Sequence, residues 1–203
     1  TGSEVTPVAV LDDPDAGTKA PLAGSALYPA HALVDPELTL SLPRFTTAAT
    51  ALDALSHALE GYWSKNHQPI CDLAAIEAAR RIFANFERIC ESPDDVQART
   101  ELSYAALLAG MAFQLPKNAM VHACSFPLST RYHMAHGAAC AFTLEFAVQF
   151  NAPALGERFL DLARPCGFSS AAAMAARIHA FKRLGGLPCT LGDVGIPVSD
   201  IPE

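Results

Sequence analysis

The chain has 203 residues, of which 51% are hydrophobic, with a formal net charge of -7. That is enough apolar material to bury the core of one large domain, or of one domain and part of another. The acidic balance, with no run of Lys or Arg, excludes the electrostatic footprint of a nucleic-acid binder. No apolar stretch reaches the roughly 18 to 20 residues of a membrane span, and the first residues have neither the basic nor the apolar region of a leader, so a soluble, cytoplasmic protein is expected.

Composition changes near residue 45. Before it, Pro, Asp and Gly punctuate short apolar runs at Val5 to Leu11 and Ala32 to Val34, which predicts strands and loops. After it, Ala, Leu and Glu dominate with helical periodicity. Helices are predicted over Thr46 to Ser64, Pro69 to Cys90, Asp94 to Gln114, Ala119 to Tyr132, Gly137 to Phe150, Ala154 to Cys166 and Ser170 to Leu184. Pro69 suits a first turn, Ser92-Pro93-Asp94-Asp95 supplies a cap and acids, and Ser169 or Ser170 can cap the last run. The fold class is therefore mainly α, with residues 1–45 a short α/β piece and 46–203 an all-helical domain. The opening TGSEVTPVAVLDD and the closing GIPVSDIPE read as the inside of a longer chain. The six cysteines are scattered without a CxxC pair, as reduced core residues are.

Within TAATALDALSHALEGYWS, from Thr47, Asp53 and His57 stand four apart on one helical face. Taken alone, such a pair makes either a local hydrogen bond or half of a metal site. Three more of the seven histidines fall in VHACSFPLSTRYHMAHGAACAFTLEF, Val121 to Phe146. His122 lies inside a helix and His136 at the start of the next, so both can converge on the first pair. One anionic oxygen with three imidazole nitrogens suits Fe²⁺ or Zn²⁺. His31, His67 and His179 are expected in loop, turn and surface-helix roles, while His133 stands between two candidate ligands.

The two segments DALSHALEGYWS and VHACSFPLSTRYHMAHG resemble the paired signature of the iron-containing (group III) alcohol dehydrogenase family, close to DALTHAIE and VHxxxHPLGxxYxxPHG. TGSEVTPVAVL, LVDPELTLSLP, LLAGMAF and LPCTLGDVGI resemble the family in the same order. The resemblance implies Asp53, His57, His122 and His136 as metal ligands. It implies that Thr1, Gly2 and Ser3 run beside the phosphates and nicotinamide of NAD or NADP, and that Lys19 stands near the cofactor ribose. It also implies a preceding dinucleotide-binding domain, of which residues 1–45 are the tail, and a homodimer.

The activity so implied is hydride transfer between NAD(P) and a small primary alcohol or aldehyde, with the metal polarising the substrate oxygen. Three positions depart from the family pattern: Phe126 where many members carry a proton-relaying histidine, Ala51 for Gly, and Ala135 for Pro. With Phe126 there, His133 becomes the candidate relay. Phe113, Phe126 and Phe142 can line an apolar substrate wall, and Arg131 can pair with an anionic group. An aromatic residue at position 126 followed by Leu128-Ser129-Thr130-Arg131 is similar to members acting on functionalised aldehydes such as phosphonoacetaldehyde. Maleylacetate reductase and glycerol dehydrogenase are rival activities within the superfamily; a non-enzymatic helical metal-binding module is the rival from another class.

Overall fold

The computed structural model describes residues 1–13, 15, 18–117 and 119–200. The chain opens with a tight 3-10 turn over Ser3–Val5 and a two-stranded antiparallel hairpin, β1 (Val8–Asp13) and β2 (Thr18–Ala23), in register from Val8 opposite Ala23 to Asp13 opposite Thr18. The strand predicted from Val5 therefore starts later, because Val5 closes the turn that Gly2 opens with φ 84°. No strand forms at Ala32 to Val34. That run lies exposed, Leu33 being 92% accessible, with no neighbouring edge to supply ladder hydrogen bonds. Among the described residues the strand content is the hairpin alone.

Seven α-helices follow among the described residues: α1 (Arg44–Trp63), α2 (Pro69–Glu91), α3 (Val96–Phe113), α4 (Met120–Tyr132), α5 (His136–Leu155), α6 (Glu157–Ala163) and α7 (Ala171–Gly185). The cap signals act as read for two of them. Pro69 occupies the first turn of α2, and Ser170 accepts from the Ala173 N–H at 3.2 Å. Within Ser92-Pro93-Asp94-Asp95 it is Asp95 that caps α3, accepting from the Ala98 N–H at 3.0 Å. α5 continues through Pro153 and stops only at Gly156, whose φ of 58° ends the helix. The helix predicted from Ala154 to Cys166 is consequently the end of α5, the short α6 and a 3-10 turn over Arg164–Cys166.

α1 is the hub, in contact with α2, α3, α4, α5 and α7. Every residue from Ala51 to Tyr62 is buried, so this part of the helix has no solvent face. Four of those residues, Asp53, Ser56, His57 and Glu60, are nevertheless polar. Burying them without partners would cost about 1–3 kcal/mol each, so their partners define what the helix is for.

The N-terminal segment docks on α3 through two facing glycines. A Cβ on Gly2 would lie 2.6 Å from Gly110 Cα, and one on Gly110 only 2.4 Å from the Gly2 carbonyl oxygen. The Gln114 side chain ties this segment down, donating to the Val5 carbonyl and accepting from the Tyr28 hydroxyl at 3.0 Å. Thr1 and Ser3 are thereby fixed beside the helical bundle. No helix among the described residues is long and apolar enough to cross a membrane.

Candidate metal centre

α1, α4 and α5 bring one carboxylate and three imidazoles together. His122 Nε2 and His136 Nε2 each lie 3.6 Å from Asp53 Oδ1, and His57 Nε2 lies 3.0 Å from His122 Nε2. The four residues expected from the sequence are therefore neighbours. His136 reaches Asp53 because Gly137 lets the start of α5 sit against the Ala49 carbonyl of α1. His57 is held in a stack, 4.4 Å from Phe113 and 4.5 Å from His122 between ring centres.

Glu60, one turn beyond His57 on α1, was not singled out by sequence, yet it orients the site. Its carboxylate accepts from the Val121 N–H at 2.6 Å and from His122 Nδ1 at 2.5 Å. The Nδ1 bond leaves His122 Nε2 facing Asp53, which is how a carboxylate behind a ligating imidazole fixes its tautomer. Only the i, i+3 spacing from His57 hints at this, since the partner arrives from α4.

A further close donor is Cys140, one turn along α5 from His136. Ligand atoms of Asp53, His122, His136 and Cys140 all lie within 4.8 Å of one another, with Cys140 Sγ 3.8 Å from His136 Nε2. Cys140 was expected only as a core thiol. All six cysteines are free.

The electrostatics of the cluster are those of a site built for positive charge. Burial pushes the Asp53 carboxyl up, but the fields of three neighbouring imidazoles, His57, His122 and His136, outweigh it and hold the group well below the usual carboxylate range. Burial holds His57 down at about 4, so it presents a neutral nitrogen at neutral pH. Burial also opposes a charge on His122, yet Asp53, Cys140 and Glu60 together raise it to about 12. Cys140 raises His136 against its burial. Burial raises the Cys140 thiol, and His122 and His136 bring it below its ordinary value. Asp53 Oδ1 is buried and has no hydrogen-bond partner, because 3.6 Å is too long for one. An orphaned anionic oxygen facing two imidazole nitrogens fits a divalent cation.

The cluster opens into a cavity of about 530 Å³ lined by Thr1, Ser3, Thr6, Val8 to Val10, His57, Phe113, Phe126, His122 and His136. Thr1 and Ser3 lie on this wall, whereas Gly2 is turned toward α3. The Lys19 backbone lies in β2 opposite Asp12, and its side chain is outside the described residues. Phe113 and Phe126 line the cavity; Phe142 does not, being buried where the Lys182 ammonium sits 5.7 Å from its ring. His133 is also absent from the wall. It forms the exposed left-handed cap of α4 with φ 53°, so the relay expected of it finds no place in the cavity. Arg131 is exposed in the last turn of α4, likewise outside the lining. His67 bonds Asp72 at 2.9 Å and His179 bonds Glu145 at 3.0 Å, structural roles for both.

Comparison with known proteins points the same way. The profile of the Fe-containing alcohol dehydrogenase family, C-terminal, matches residues 47–203. The chain is 41% identical to 1-propanol dehydrogenase of Salmonella typhimurium over 85% of its own length and 47% of that protein's. It is 38% identical to 1,3-propanediol dehydrogenase of Citrobacter freundii over 100% of its length and 54% of that protein's. The crystal structure of sulfoacetaldehyde reductase from Bifidobacterium kashiwanohense in complex with NAD+ superposes with a TM-score of 0.93 at 43% identity, covering 98% of this chain and 53% of that one. The chain thus spans about half the length of the proteins it matches. With the donor cluster, the family profile and these relatives in agreement, the chain belongs to the iron-containing alcohol dehydrogenase family.

Proposed function

We propose that this chain is the metal-binding half of an NAD(P)-linked alcohol dehydrogenase or aldehyde reductase, with residues 1–45 the tail of its cofactor domain and 46–203 the helical domain. The observation that carries the proposal is Asp53 Oδ1, buried and unpartnered, 3.6 Å from the nitrogens of two imidazoles that line an open cavity. Asp53, His57, His122 and His136 would hold Fe²⁺ or Zn²⁺. When bound, the cation supplies Lewis acidity toward an alcohol or carbonyl oxygen, worth several kcal/mol, and the nicotinamide supplies the hydride chemistry.

The protein's own part is positioning. Glu60 sets the His122 tautomer, Phe113 fixes the plane of His57, and Phe126 gives the cavity an apolar side. Thr1, Ser3 and Thr6 give it a hydroxyl-bearing side, where an alcohol or a cofactor phosphate finds hydrogen-bond donors. No Lys or Arg appears among the described lining residues, which favours short uncharged alcohols and aldehydes over anionic ones. The 1-propanol and 1,3-propanediol activities named for two relatives are of that class. A homodimer and a cytoplasmic location are part of the same proposal, on family grounds.

The test uses the protein at its natural length. Asp53→Ala is expected to retain helicity and lose bound metal by elemental analysis, and with it NAD(P)-linked oxidation of 1-propanol; full metal retention would overturn the assignment. A separate expectation concerns His133. Because it is exposed outside the cavity, His133→Gln should leave the pH–rate profile unchanged, and the disappearance of one limb would return it to the proton path.

A further inference from the structure

We propose that Cys140 is a direct ligand of the metal in this site, giving the centre a soft thiolate donor alongside Asp53, His122 and His136. The inference rests on the metal-binding proposal above and goes beyond it, since neither motif of the family signature includes position 140.

Cys140 follows His136 by four residues on α5, so the two side chains share one helical face. Their ligand atoms are 3.8 Å apart. Metal–sulfur and metal–nitrogen distances of ~2.3 and ~2.0 Å at a tetrahedral angle put the two donors roughly 3.5 Å apart, so a small adjustment seats both on one ion. Asp53 Oδ1 and His122 Nε2 complete a set whose members all lie within 4.8 Å. Asp53 is only 2% exposed and its Oδ1 lacks a partner, so an unsatisfied anionic oxygen independently marks the same point. Cys140 is itself fully buried, with His136 as its close polar neighbour.

A core-filling cysteine would need no such neighbours. Four donors from three helices, one sulfur, one oxygen and two nitrogens, compose a set that zinc or cobalt takes readily. Iron(II) is less favoured there than in an all-nitrogen-and-oxygen site. His57, 3.0 Å from His122 Nε2 and facing the cavity beside Phe113, joins this quartet as the remaining ligand of the proposed centre. As the metal–sulfur bond forms, the thiol proton passes to solvent; no oxidant or reductant is involved.

The experiment strips the natural-length protein of metal and reloads it with Co²⁺. A thiolate-to-cobalt charge-transfer band in the near ultraviolet is expected in the unmodified protein, together with visible ligand-field bands. The near-ultraviolet band should vanish in Cys140→Ala. Zinc affinity in Cys140→Ser should fall by at least the ~10–100-fold that even outer partners of a ligand are worth. Stoichiometric cobalt with ligand-field bands but no charge-transfer band overturns the Cys140 assignment and leaves the metal site standing. Failure to bind cobalt, zinc or iron at all overturns both.

Discussion

Gly137→Ala is expected to weaken metal binding and the fold together. The added Cβ would lie 2.4 Å from the Ala49 carbonyl oxygen, 2.8 Å from its carbon and 3.3 Å from Asp53 Cβ. Two of those three neighbours are backbone of the buried Ala49 and cannot swing aside, so the start of α5 must back away from α1. The helix gains up to ~1 kcal/mol from replacing glycine with alanine, and overpacking costs about 1–3 kcal/mol, so the net effect is destabilising. His136 is the preceding residue and Cys140 follows within a turn. Ligand distances must hold within ~0.2 Å, so a displacement of several tenths of an ångström removes α5's donors from the site. Metal affinity should drop by more than tenfold, and the melting temperature of the metal-free protein should fall by roughly 2–4 °C per kcal/mol lost. Unchanged metal content and unchanged melting would mean that the contact between α1 and α5 is looser than its geometry indicates.

The same contact explains which parts of the molecule were legible in the sequence. α1 announced itself through a long run of Ala and Leu, and its polar residues stood out because they interrupt it. Asp53, His57, His122 and His136 were legible because two helical spacings and one motif resemblance constrain them locally. Cys140 and Glu60 were not. A buried Cys among Ala residues looks like packing, and a Glu on a helix looks like a solvated face, until α5 and α4 are seen to deliver His136 and His122 to them. Loop geometry erased two expectations in the same way. His133 falls between two ligands in sequence, but its left-handed cap turns it outward. The helix expected to end at Phe150 runs on to Leu155, and the stop belongs to Gly156, where a positive φ breaks the hydrogen-bond ladder. Short-range signals thus located elements and donors, and tertiary approach decided which donors meet.

The largest expected stability effect lies away from the metal. Lys182 on α7 is fully buried, and its ammonium makes an ion pair with Glu145 of α5 at 2.7 Å and donates to the Phe142 carbonyl at 3.2 Å. Glu145 is 5% exposed, and its other oxygen meets His179 at 3.0 Å. Glu145→Ala removes the carboxylate and leaves an ammonium enclosed by Phe142, with a single carbonyl for company. Breaking a buried pair from one side costs about 3–5 kcal/mol, because the surviving charge keeps its desolvation penalty without its partner. Lys182→Met is expected to cost less, since Glu145 keeps its contact with His179 at 3.0 Å. Replacing both, with Glu145→Leu and Lys182→Met, removes both charges from the core and should be close to neutral or stabilising by about 1–4 kcal/mol. Urea unfolding of the metal-free protein reads all three. A loss below 1 kcal/mol in Glu145→Ala would show that water reaches Lys182, and metal content equal to that of the parent protein in every variant would confirm that this pair fastens α5 to α7 without touching the donor cluster.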